Sequence, residues 1–377
     1  MKQQYELDEI PFYYTILSVP ANPWGLPDKL KFLLEQDDNG FIRQLPSKGE
    51  QEYLDLVYQK GSQITGLMDD KGIGRLYTDD FLKYICEEEK NVYGKEILEI
   101  GCGTGYLLYR LQKLGARVLG VEPGEHGQEG RKKYGIPILK DFFNPDKIAK
   151  KYDIVIIYAV LEHMFDADKF LQEIISILNV KGKIILAVPD CEPYIQIGDV
   201  SMLIHEHWNY FTKRTLETLA INNGLRGHII NSEFAGTLYA CWERKDEAIE
   251  EKDTFINYEL SEYINKVNIQ KEKMFNFINS HIINKFLGIY VPGRMINLLS
   301  LCYSKIPAQI RFFDDNTNLH NTYFPGIDIR IENFEDLTNN PVDTLLIASF
   351  TFGNKIKEKI LANGLKCKII LLEELFM

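Results

Sequence analysis

Hydrophobic and polar positions divide this chain into a first stretch without clear period and two blocks in which short apolar runs alternate with helical spacing. The first block opens at residues 97–100, an apolar run interrupted by Glu99, and turns at Gly101, Gly103 and Gly105. Residues 106–115 then carry helical spacing, so the whole reads as a buried parallel strand, a tight turn and the helix packed behind it. Residues 116–121 form a second strand-like run ending at Glu122, helix-like segments follow at 167–178 and 212–223, and residues 236–242 read as a closing strand. Thr212 precedes Leu216 and Leu219 as a helix cap would. Strand and helix in alternation predict an α/β fold, a doubly wound sheet over residues 91–243.

The flanks differ. Residues 1–90 are rich in aromatics and broken by Pro11, Pro20, Pro23, Pro27 and Pro46, with helix-like stretches near 50–60 and 79–89. They are expected to form an N-terminal cap, with Tyr58, Tyr77 and the segment 61–66 as candidates to touch a ligand. Residues 244–285 predict a helical connector, because Tyr263, Val267, Met274 and Ile278 recur at roughly helical spacing. From residue 286 the second block predicts strands at 286–291, 309–313, 342–350 and 366–372 and helices at 294–303 and 354–363. A second α/β domain is therefore expected over residues 286–377. Its turn carries Gly288 and Gly293, but Pro292 removes an N–H that a phosphate would use, so no second cofactor is expected.

The glycines of the first turn let a ligand approach the backbone closely, and the helix start offers unpaired N–H groups. In the G-x-G-x-G spacing the third glycine arrives one residue earlier than in the dinucleotide fingerprint. Glu99 would repel a pyrophosphate and welcome an amino group, while Glu122 stands where a bound ribose meets its acceptor. On Glu99 to Gly105 and Glu122 the chain resembles the class I S-adenosylmethionine (SAM)-dependent methyltransferases. Residues 138–142, 153–163 and 180–189 fit the third, fourth and fifth strands of that family. The resemblance implies a Rossmann-like methyltransferase core with SAM as cofactor. It places the cofactor site on Glu99, Gly101, Gly103, Gly105, Glu122, Pro123, Asp141, Phe142, Tyr158, Leu161 and His163.

A narrower resemblance, to the nucleotide-sugar C-methyltransferases with a C-terminal α/β domain, rests on Pro292 with Arg294, Asp314-Asp315-Asn316, Tyr323 to Gly326, and Ser349 to Phe352. That family has a similar His-Glu-His segment, here His205-Glu206-His207, whose second histidine is the proposed base. It implies that His207 removes a proton beside a sugar ketone and that the enolate attacks the methyl group, with His205 and Glu206 orienting sugar or base. A histidine with an ordinary pKa of about 6.5 can accept a proton at neutral pH, and such a base is worth roughly 10²–10⁴ in rate. The chain departs from the family in three places: residues 1–85 have no cysteine, and Ile204 and Arg294 replace the usual tyrosine and lysine. O- or N-methylation of a sugar or small metabolite, and SAM binding without catalysis, are the alternatives. His205 and His207 alternate and can share a strand face with Glu162 or His163, but without a definite third ligand no metal is expected.

Composition narrows the partners. With 377 residues the chain is long enough for two or three domains, and 45% hydrophobic with 26% charged residues is ordinary for globular proteins. A formal charge of -11, from 43 Lys plus Arg against 54 Asp plus Glu, disfavours a general nucleic-acid or anionic-membrane surface, and the resemblance implies a small-molecule substrate, a nucleotide sugar. The first residues lack an apolar targeting core and no run reaches membrane-span length, so a cytoplasmic location is expected. Six scattered cysteines without a CxxC pair indicate neither a disulfide framework nor a zinc ribbon.

Overall fold

The computed structural model describes residues 3–13, 15–60, 68–233, 236–245, 258–350 and 352–376. They form two compact units: residues 35–193 and 206–257 belong to the first, and residues 3–34, 194–205 and 258–377 to the second. The first thirty or so residues thus cluster with the C-terminal half of the chain, whereas the helix Glu50–Lys60 and the helix Gly72–Glu88 belong to the first unit.

The first unit is built on β1 (Glu96–Ile100), α1 (Tyr106–Lys113), β2 (Arg117–Val121), α2 (Glu125–Tyr134), β3 (Ile138–Leu139), β4 (Tyr152–Tyr158), α3 (Ala167–Ser176), β5 (Leu178–Pro189), α4 (Lys213–Asn222), β6 (Leu225–Asn231) and β7 (Thr237–Arg244). Among the described residues its main sheet has seven strands in the order β6-β7-β5-β4-β1-β2-β3. β1 to β5 are parallel, and β7 runs antiparallel to β5 as expected of the closing strand. The central strands are near-continuous apolar runs because both faces are covered: Leu98, Val155, Ile157 and Leu186 pack with α3 and α4, while Ile97, Ile154, Ile156 and Ile185 pack with α1 and the helix Gly72–Glu88. Thr212 caps α4 in a reciprocal capping box with Thr215. β6 escapes the sequence pattern because only Leu225 is buried along it; pairing with β7 makes it a strand.

The strand order reverses at β1, where β4 lies on one side and β2 on the other. The crevice outside the carboxyl ends of these strands is where doubly wound sheets bind ligands.

In the second unit, β8 (Leu287–Tyr290), β9 (Ile310–Phe313), β10 (Ile331–Glu332), β11 (Thr344–Ile347) and β12 (Lys368–Leu371) make a five-stranded parallel sheet in the order β10-β9-β8-β11-β12. The predicted second α/β unit is present. Its turn after β8 is filled by protein: the Arg294 guanidinium meets the Asp199 carboxylate at 2.6 Å and lies over the rings of Tyr194 and Phe350. The cavity there is 20 Å³, room for about one water. Within the range expected to be a helical connector, the helix Leu260–His281 buries Leu260, Tyr263, Val267, Met274 and Ile278 and belongs to the second unit; residues 246–257 lie outside the described residues. The proline-broken stretch expected to form the N-terminal cap carries the strands Gln3–Pro11 and Lys29–Gln36.

Candidate active site

β1 runs directly into the glycine turn. Gly101, Gly103 and Gly105 have φ of 69°, 51° and 69°, a region L side chains resist, and a Cβ on Gly101 would stand 2.5 Å from Val160 Cγ2. At the end of β2 the Glu122 carboxylate is held by two backbone donors, Gly103 N–H at 3.0 Å and Gly124 N–H at 2.7 Å. Each carboxylate oxygen retains a lone pair for a further donor such as a hydroxyl.

Glu99 lies behind this turn. Its side chain is fully buried, and neither oxygen has a hydrogen-bond partner among the described residues. Burial, with the Glu122 charge beside it, pushes the Glu99 carboxyl well above the usual carboxylate range. A group in this state destabilises the fold unless a cation or donor meets it, and an ammonium group does both.

A second pair of loops completes the site. After β4 the chain passes through Ala159, at φ 52°, into a short turn over Leu161–His163. The strand Ile42–Leu45 pairs with Asn209–Tyr210, the Trp208 N–H donates to the Glu162 carbonyl at 2.8 Å, and the Asn209 side chain donates to the Met164 carbonyl at 2.7 Å. These bonds pin the Glu206–His207 segment onto the Glu162–His163 loop. Tyr58 reaches the same point, its hydroxyl 3.1 Å from His163 Nδ1.

Between the glycine turn and these loops lies a cavity of 380 Å³. Of the predicted residues, Gly101, Gly103, Glu122, Pro123, Phe142, Tyr158, His163 and Glu206 line it, as does Tyr58. Glu99 is buried and does not line it, Gly105 caps α1, and Leu161 is in the core. Asp141 is half exposed and paired with Lys147, its Oδ1 accepting the Phe142 N–H at 2.9 Å. His205 is buried between the rings of Phe12 and Phe32 in the second unit. His207 is buried beside His163, their rings at 88° with centroids 4.8 Å apart. The segment 61–66 lies outside the described residues, and Tyr77 packs on the core of the first unit. The wall also includes Val160, Met164, Phe165 and Phe170, which the sequence reading did not single out. Their signal is local only for Phe170, on the apolar face of α3; the rest depend on how the β4 loop folds back.

Burial sets the charge state of the inner cluster. It pushes the Glu162 carboxyl up to about 8 and lowers His163 to about 4, and with the neighbouring imidazole it drives His207 well below its usual value. At neutral pH the two imidazoles are therefore neutral, and Glu162 is largely protonated.

Residues 73–228 match a family model described as a methyltransferase domain. The mitochondrial ubiquinone biosynthesis O-methyltransferase of Homo sapiens is 26% identical over 172 residues, covering 39% of this chain and 46% of that protein. A tRNA U34 carboxymethyltransferase of Campylobacter hominis is 30% identical over 121 residues, covering 28% of this chain and 40% of that protein. Among solved structures, the magnesium protoporphyrin IX methyltransferase of Synechocystis PCC 6803 with bound SAH is 18% identical, covers 53% of this chain and 92% of its own, and gives a TM-score of 0.36. The chain spans about half the length of the curated relatives it matches first. Among the described residues no helix is long and apolar enough to cross a membrane.

Proposed function

We propose that this chain, whose residues 73–228 carry a methyltransferase domain, binds SAM in the cavity and methylates a small-molecule acceptor held at its Tyr58, His163 and Glu206 end. The observation that carries the reading is the pair of carboxyl groups around the glycine turn: Glu99, buried and unpartnered, for an ammonium group, and Glu122, fixed by two N–H donors, for ribose hydroxyls. Bound SAM supplies the electrophilic methyl group. The protein orients the two reactants, the Phe142 and Phe170 walls exclude water, and Gly101 lets the ligand lie against the backbone.

For the acceptor we put forward a nucleotide-linked keto-sugar methylated at the carbon beside the ketone. The second α/β unit supports this reading, since a parallel five-stranded sheet follows the core as the resemblance implies. Its proton must leave before the methyl arrives. We assign its removal to the Glu206 carboxylate, which lines the cavity, ahead of His207, which does not line it and whose basicity burial suppresses. A second reading, O-methylation, is favoured by the ubiquinone-pathway relatives and by the aromatic wall.

Calorimetry is expected to show binding of SAM and none of NAD; the reverse would sink the proposal. With keto-sugar nucleotides as acceptors, Glu206→Gln is expected to lower turnover by roughly 10²–10⁴ while SAM affinity is unchanged. Solvent deuterium should enter the acceptor carbon without SAM and fail to do so in this variant. Exchange that persists in Glu206→Gln and stops in His207→Ala would return the base to His207, and methylation without any exchange would favour oxygen as the acceptor atom.

SAM affinity should also fall as the pH is lowered. The raised Glu99 carboxyl takes up a proton as the pH drops, and the neutral acid no longer pairs with an ammonium group. A Glu99→Gln variant should lack this dependence; an identical slope in both proteins would assign it elsewhere.

A further inference from the structure

We propose that Glu162, His163 and His207 bind one divalent transition-metal ion of the zinc class at the inner wall of the cavity. One ligand atom from each residue lies within 4.8 Å of the others. Glu162 is 1% and His207 8% exposed, and both Glu162 oxygens and the His207 Nε2 have no hydrogen-bond partner among the described residues. Buried polar atoms are almost always satisfied, because each one left alone costs about 1–3 kcal/mol. Here one Glu162 oxygen and one nitrogen of each histidine lie within 4.8 Å of one another. His163 Nε2 and Glu162 Oε1 stand 4.0 Å apart, so no hydrogen bond joins that pair. A cation at that place meets one lone pair from each of the three residues at once.

The outer contacts point the same way. Nδ1 of His163 is engaged by the Tyr58 hydroxyl at 3.1 Å, with the Glu206 carboxylate 3.9 Å away, leaving Nε2 on the side of Glu162. A metal-binding histidine is ordinarily held in this manner through its second nitrogen. Two imidazoles and one carboxylate suit zinc, cobalt or iron and not magnesium or calcium, which prefer oxygen. Bonds of about 2.0–2.2 Å require the ligand atoms to draw in slightly, which side-chain rotation supplies. The backbone bond from Trp208 to Glu162 keeps the two loops in register. Three protein ligands leave a position open, and of the three His163 lines the cavity. Only the assignment of that position to an oxygen of the acceptor rests on the function proposed above.

The test uses the full chain, stripped with a chelator and then titrated with zinc or cobalt chloride against a chromophoric competitor. One ion per chain is expected, with a rise in melting temperature. Glu162→Gln and His207→Gln should each weaken binding at least about 100-fold and abolish that rise, with SAM affinity as the check that the variants are folded. Failure of the folded wild-type protein to take up a stoichiometric ion, or unchanged binding in the Glu162→Gln, His207→Gln double variant, overturns the site. Metal uptake without SAM binding would leave the site standing and remove the methyl-transfer reading. Full turnover in metal-free protein would overturn the role assigned to the open position.

Discussion

Replacing Glu99 by glutamine should weaken SAM binding by about 10- to 100-fold without lowering the melting temperature of the ligand-free protein. A charge-assisted hydrogen bond to a buried group contributes about 1.5–3 kcal/mol, and the neutral amide forfeits most of it. Glu99 is fully buried, with both oxygens unpartnered among the described residues and its carboxyl pushed up by burial. The ligand-free fold therefore gains little from it, and removing its ionisable group relieves a desolvation penalty. This opposition separates a binding residue from a structural one. Isothermal calorimetry and thermal scanning on the same variant decide it: a large fall in stability with unchanged affinity would show that Glu99 supports the fold and not the ligand.

The largest expected loss of stability lies at Gly130, on α2. A Cβ there would stand 1.7 Å from the backbone carbonyl oxygen of Thr104, in the glycine turn itself. Backbone cannot rotate away as a side-chain tip can, so Gly130→Ala must push α2 off the turn. Overpacking typically costs about 1–3 kcal/mol, and a clash this deep should reach or exceed the top of that range, lowering the melting temperature of the first unit by roughly 6–12 °C. Gly135 is the control. It ends α2 at φ 69° with nothing within 4 Å of a built Cβ, so Gly135→Ala should cost only about 1 kcal/mol from the backbone conformation. Equal effects at the two positions would mean that close approach of helix and turn is not what Gly130 provides. Because Thr104 lies between Gly103 and Gly105, Gly130→Ala should also weaken SAM binding in whatever protein remains folded.

Both variants act on the part of the site most legible in the chain. The run 97–100, its closing glycines and the following helix are local features: an apolar strand buried on both faces, residues that tolerate positive φ, and a 3.6-residue period each leave their mark within a few positions. Glu122 belongs with them, since it directly follows β2. For the same reason the second α/β unit was readable, and its two-residue strand β10 was not, being too short to carry a period. β6 was hidden because one buried residue in seven makes no alternation.

The Tyr58, His163 and Glu206 end of the cavity behaves differently. His205, Glu206 and His207 are consecutive, yet His205 is buried against Phe12 and Phe32, Glu206 lines the cavity and His207 joins Glu162 and His163. Spacing in the chain could suggest that histidines share a face, but not which ones meet. Tyr58 reaches His163 across 105 positions. What the sequence by itself determined is the parallel core, the glycine cradle and the two carboxyl groups that flank it, because these follow from short-range patterning and backbone geometry. Which side chains line the cavity, and that Glu162, His163 and His207 meet, was decided only by tertiary structure, through backbone hydrogen bonds such as Trp208 to Glu162 that tie distant loops together.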